Sequence, residues 1–109
     1  VREPDGLAMS SRNMYLAPAD RTAAACLYRG LCTARGLFAE GERAAGAITA
    51  ACRDVIAAEP RARIDYVTAA DAATLREFRD EERLTGRAVL AVAVRFGTAR
   101  LIDNVLLEP

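Results

Sequence analysis

The chain contains no lysine and no histidine. Without lysine it holds no Schiff-base amine and no lysine-dependent phosphate loop. Without histidine, no Ser-His or Cys-His nucleophilic pair and no His-ligated metal site can be assembled within it. Cysteine is sparse. Cys26, Cys32 and Cys52 lack a C-x-x-C spacing, and an odd count argues against a secreted disulfide framework and for a reducing compartment. Each thiol reads as a small apolar core or boundary residue. Long apolar runs are missing too: no stretch approaches the roughly 20 residues of a membrane span, and no basic leader precedes an apolar run. Charge of either sign is not in excess. Fifteen arginines balance 15 carboxylates, so no global field advertises nucleic acid or an anionic membrane. The chain opens on Val1-Arg2-Glu3 rather than on Met, and it reads as the interior of a longer protein.

What is present suits one folded unit. The 109 residues are 52% hydrophobic and 28% charged, enough to close a single core without staples. Residues 1–14 carry turn signals at Pro4 and Asp5-Gly6 and an apolar step at Leu7-Ala8-Met9, predicting one short strand and a loop. Pro18 marks a helix N1 position with Asp20 in the first turn and Ala17, a poor capping residue, at the N-cap. Ala23, Leu27, Leu31, Ala34 and Phe38 continue at helical spacing, predicting one helix that Gly36 weakens and Gly41 ends. A second helix is predicted from about Glu42 to Glu59, with Ala45, Ile48, Cys52, Val55 and Ile56 on its apolar face and Pro60 as its stop.

The second half changes period. Ile64 to Ala69 reads as a strand, with Asp65 and Tyr66 on alternating faces. Asp71 caps a single turn to Leu75. Residues 76–87 read as a solvated connection, and the run Arg79-Asp80-Glu81-Glu82-Arg83 implies no specific partner. Val89–Phe96 and Ala99–Leu107 flank Gly97-Thr98, the pattern of a type II′ hairpin. Asp103-Asn104 interrupts the last apolar run; it reads first as a strand end or bulge, with a polar anchor as the functional alternative. The predicted class is α+β: two helices packed on a small three-stranded, mainly antiparallel sheet.

The chemistry-bearing run is Leu7-Ala8-Met9-Ser10-Ser11-Arg12-Asn13-Met14-Tyr15-Leu16. Two hydroxyls and a guanidinium suit polyphosphate oxygens. Taken alone, Ser-Ser-Arg is also a capped turn leading into a helix, and Met9 is also a core filler. The flanking blocks decide between these. Arg2-Glu3-x-Asp5-Gly6-Leu7-Ala8-Met9-Ser10-Ser11-Arg12-Asn13, then Tyr15-Leu16, Ile64-Asp65-Tyr66 and Thr98-x-Arg100-Leu101-Ile102-Asp103-Asn104, in this order, resemble the C-terminal domain of the pantoate–β-alanine ligases, the pantothenate synthetases. The likeness covers nearly the whole chain.

The resemblance implies a C-terminal lid of a class I nucleotidyl-transferase-like ligase, with residues 1–16 as an ATP-loop segment joining an N-terminal Rossmann-like domain and 17–109 as the lid. It implies ATP-dependent, AMP-forming condensation of pantoate with β-alanine through pantoyl adenylate, with Mg²⁺, in a cytoplasmic enzyme of the coenzyme A pathway whose parent is a homodimer. Met9-Ser10-Ser11-Arg12 resembles the family's version of a mobile K-M-S-K-S loop. Val1 matches the position whose backbone meets adenine, Met9 the start of the ATP loop, and Ser10, Ser11 and Arg12 the phosphate contacts. The paired histidines, the pantoate pocket and the catalytic lysine belong to the other domain. The resemblance therefore implies no catalytic or metal-binding residue here beyond transition-state support by Arg12, and an inactive isolated chain. Two alternatives stand beside it: a stand-alone α+β interaction module with a structural Ser-Ser-Arg turn, and another adenylate-forming ligase with the same lid.

Overall fold

The computed structural model describes residues 2–10 and 16–109. Three helices precede three strands: α1 (Pro18–Ala23), α2 (Cys26–Ala39), α3 (Ala45–Ala57), β1 (Arg63–Asp71), β2 (Ala88–Phe96) and β3 (Ala99–Leu107). The strands form an antiparallel meander in the order β1-β2-β3. The α2–α3 pair covers one face, α3 against β1 and α2 against β3. The α+β expectation holds.

The predicted long first helix is two helices. Ala23, Ala24, Ala25, Cys26 and Leu27 are all buried, and a straight helix on a sheet buries only a stripe. The chain instead turns a corner at Ala24-Ala25, where Leu27 donates to the Ala24 carbonyl at 3.2 Å in an i→i+3 bond. Pro18 and Ala17 take the expected N-terminal places, with no side-chain cap. The second helix begins at Ala45 rather than Glu42. Glu42 folds back instead, its Oε1 accepting from the N–H groups of Arg43 at 2.9 Å and Ala44 at 2.8 Å.

On β2, Ala88, Leu90, Val92, Val94 and Phe96 face the helices and are buried essentially completely. Their partners across the core are Leu27, Leu31 and Phe38 of α2 and Ile48, Cys52 and Ile56 of α3. The hairpin has Gly97 at φ +60°. Thr98 is not in the positive-φ region, which makes the turn type II′ rather than I′, as predicted.

Two expectations about polar strand residues exchange places. The irregularity lies in β1, where the register with β2 slips between Ile64 and Tyr66. Asp65 occupies this bulge and does not alternate simply with Tyr66. There it receives Arg95 Nε at 3.2 Å and Arg100 Nε at 2.7 Å. β3 is continuous through Asp103 and Asn104, which pair with Val92 and Ala91. The bulge predicted there is absent.

The connection between β1 and β2 begins as expected. Asp71 Oδ1 accepts from the N–H groups of Ala73 and Thr74, each at 2.9 Å, and Leu75 N–H closes the turn on the Asp71 carbonyl at 2.8 Å. The rest is not merely solvated. Leu84 is buried and Phe78 packs on the core. The charged run has a partner inside the chain: the Glu82 and Asp80 carbonyls accept from Ala45 N–H at 2.9 Å and Gly46 N–H at 3.1 Å. These are the first donors of α3, which no helix residue can satisfy. The short strand expected near the N-terminus is a single bridge between Arg2 and Ala8.

Candidate functional site

Residues 2–8 form a tight turn. Glu3 N–H donates to the Leu7 carbonyl at 2.7 Å, and Gly6 N–H to the Glu3 carbonyl at 2.9 Å. Asp5 Oδ1 accepts from Leu7 N–H at 3.2 Å, and Asp5 Oδ2 pairs with Arg21 of α1 at 2.7 Å. The Asp5 carboxyl consequently sits below the usual carboxylate range, first because Arg21 donates to it. Gly6, at φ +94°, lies against Tyr28 of α2. A Cβ there would fall 2.3 Å from the ring's Cδ2, so only glycine fits. Leu7 enters the core.

From this turn the chain runs out to Met9 and Ser10, both exposed. They line a cleft of about 340 Å³ together with Leu27 of α2 and Leu101, Ile102 and Asp103 of β3. Met9 is 51% exposed, so it is not the core filler that its apolar side chain allowed. An exposed hydroxyl beside an apolar cleft wall can donate to a polar ligand seated there. Val1, Ser11 and Arg12 lie outside the described residues. Of the five predicted nucleotide-contacting residues, the structure thus brings Met9 and Ser10 to one cleft.

Asp103 closes the other side of this site. It shares the inward alternation of Leu101, Val105 and Leu107, where an unpaired carboxylate would be costly. Arg2 is its partner through a two-pronged bond, Nη1 to Oδ2 at 2.6 Å and Nη2 to Oδ1 at 3.0 Å. The same guanidinium donates to the Gly6 carbonyl at 3.0 Å and stacks over the Tyr28 ring at 4.1 Å. Of the two alternatives, Asp103 is the polar anchor. Sequence reasoning missed Arg2 as its partner and Tyr28 as the ring on which Arg2 rests; the usable signal was a carboxylate at a buried strand position. Among the described residues, no three acidic or thiol groups gather to hold a metal.

The model of the family described as pantoate-beta-alanine ligase matches residues 1–106. The chain belongs to the pantoate-beta-alanine ligase family. Within that family, the pantothenate synthetase of Roseiflexus sp. (strain RS-1) is 56% identical over 108 residues, covering 99% of this chain and 38% of that protein. The pantothenate synthetase of Desulfatibacillum aliphaticivorans is 48% identical over 109 residues, covering 100% of this chain and 38% of that protein. A crystal structure of pantothenate synthetase from Thermus thermophilus superposes with a TM-score of 0.89 at 40% identity, over 100% of this chain and 38% of that one. The chain thus spans little more than a third of the length of these ligases. No helix among the described residues is long and apolar enough to cross a membrane.

Proposed function

We propose that this chain is the ATP-contacting C-terminal part of an ATP-dependent ligase that joins pantoate to β-alanine in the cytoplasm. Residues 1–16 join it to a preceding nucleotide-binding domain, and 17–109 form the lid over that domain's active site in a homodimeric parent. The observation that carries this reading is the match of nearly the whole chain to about 38% of the pantothenate synthetases.

In the proposed reaction the pantoate carboxylate attacks the α-phosphorus of ATP. The bond to the β-phosphate oxygen breaks, giving pantoyl adenylate and pyrophosphate. The β-alanine amine then attacks the acyl carbon, AMP leaves, and the amine proton is lost to solvent or a base of the other domain. Mg²⁺, when bound, offsets phosphate charge; the described residues hold no group of three or more acidic or thiol side chains that could take it. What this chain supplies is positioning and charge. The Val1 backbone meets adenine, Met9 opens the loop beside the cleft, Ser10 and Ser11 orient phosphate oxygens, and Arg12 counters charge developing on the leaving pyrophosphate. With neither histidine nor lysine, the chain on its own forms no pantoyl adenylate.

The test is Arg12→Ala in the full-length ligase carrying this segment. Loss of one preorganised contact to developing charge costs about 3 kcal/mol, or roughly a hundredfold in the single-turnover rate of adenylation, with pantoate affinity retained. Arg12→Lys restores only part of it. An Arg12→Ala enzyme that stays folded and adenylates pantoate at an unchanged rate overturns the assignment.

A further inference from the structure

The ATP loop leaves the body of the fold from a root that is far better fixed than an exposed turn needs. Arg2 ties that root together at three levels. Its backbone bridges to Ala8, one residue before Met9. Its guanidinium spans the Gly6 carbonyl and both oxygens of Asp103. Its planar face rests on Tyr28, the same ring that Gly6 abuts. Asp103 is a rigid base: β3 is paired to β2 along its whole length, and Asp103 Oδ1 also accepts from Asn104 N–H at 2.8 Å. A planar fork that bonds both carboxylate oxygens fixes direction as well as distance, which a single point charge does not.

We propose that Arg2, Asp103 and Tyr28 are positioning residues for ATP: they hold the 2–8 turn in one place and so set where Met9 and Ser10 enter the nucleotide site. None of the three contacts the nucleotide in this scheme. The inference rests on the proposed ligase reading, because it concerns where that reaction's loop starts. Its physical basis is that reacting groups displaced by about 1 Å lose on the order of a hundredfold in rate.

The test uses the full-length ligase carrying this segment, with Asp103→Asn, Asp103→Glu and Arg2→Lys. Asparagine cannot accept both prongs, and lysine can neither fork nor stack. Each of these two is expected to lower kcat/KM for ATP about tenfold or more, measured well below the variant's melting temperature, with KM for pantoate unchanged. Asp103→Glu, which keeps the two-oxygen acceptor, recovers part of the loss. Melting temperatures that fall while kcat/KM for ATP stays at the wild-type value mean a merely structural pair and overturn the proposal. Hydrogen exchange on the same full-length ligase gives a readout independent of activity. Asp103→Asn should accelerate exchange at the Glu3, Gly6 and Leu7 amides and leave β2 unchanged; unaltered protection of those three overturns the anchoring itself. Arg12→Ala separates the two readings. If it slows adenylation and Asp103→Asn does not, only the positioning role fails. If Arg12→Ala has no effect, the loop is not the phosphate contact and both fail.

Discussion

Gly30 of α2 lies against the main-chain carbonyl of Cys52 on α3: a Cβ on Gly30 would stand 2.9 Å from that oxygen. It would also stand 3.1 Å from Ile56 Cγ1 and 3.2 Å from Cys52 Sγ. The helices are therefore packed at a distance that only a glycine permits. A backbone oxygen cannot swing aside, so Gly30→Ala must part the helices. Overpacking of this kind costs about 1–3 kcal/mol, against a gain of up to ~1 kcal/mol in helix propensity. The expected net is a loss of stability. Gly36 sits in the same helix with nothing within 4 Å of its would-be Cβ. Gly36→Ala should stabilise by about 0.5–1 kcal/mol. Urea melts of the two variants should move in opposite directions; shifts of the same sign would contradict the packing described.

Thiol reactivity should divide the three cysteines. Burial pushes the Cys26 thiol up to about 11 and the Cys52 thiol up to about 12. Both are thus neutral as well as inaccessible at about pH 8, and the thiolate is the reactive form. Cys32 is only partly covered and receives a hydrogen bond from Arg35 Nη2 at 3.5 Å. Iodoacetamide at about pH 8 should add one label to the native chain and label all of Cys26, Cys32 and Cys52 in denaturant, with peptide mapping placing the first at Cys32. Early labelling of Cys26 or Cys52 would be inconsistent with this core. Because their folded values lie above the unfolded one, their contribution to stability is complete below about pH 8.5 and declines as pH rises toward the folded values.

Acid should weaken the β1–β2 connection by a definite route. The Glu82 carboxyl is lowered to about 2, first by the paired hydrogen bonds from Arg76 and then by Arg79 N–H. Its unfolded value is about 4.3, so the native state binds fewer protons between the two. The stabilisation is present above the unfolded value and is lost as pH falls toward about 2. Asp71 and Glu42, lowered by backbone N–H donors, act in the same direction. Stability measured from about pH 7 down to about pH 2.5 should fall less steeply in Glu82→Gln than in the wild type. Parallel curves would show that Glu82 is not part of the acid response.

The elements were legible where one period governed a run. The apolar body of β2, the Gly97-Thr98 turn and the Pro18 helix start follow from local chemistry, whereas the alternation of β3 was hidden behind the apparent break at Asp103-Asn104. The corner at Ala24-Ala25 was not legible, because alanine suits a helix and a close-packed corner equally. The partnership of Arg2 with Asp103 joins nearly the two ends of the chain, and no local pattern encodes it. Spacing could have placed Asp103 on the buried side of its strand, but it could not name the cation that neutralises it. Met9 and Ser10 were singled out through neighbouring blocks of residues rather than through their own chemistry, since a serine and a methionine in a loop mean little alone.

The junction of α3 with the charged run carries a consequence for how the chain becomes ordered. The first donors of α3 are answered by main-chain carbonyls of Asp80 and Glu82, which lie beyond β1 in sequence. The start of this helix therefore cannot be completed from its own neighbourhood; it waits for a later part of the chain to arrive, which ties the maturing of the helical layer to that of the sheet. The bonds themselves use the backbone alone, but the Glu82 side chain, held by Arg76 and by the Arg79 N–H, shapes the run that presents them. The number of residues in the run is fixed as well. Removing one residue from that run would carry both carbonyls out of register and leave the helix open at its first turn.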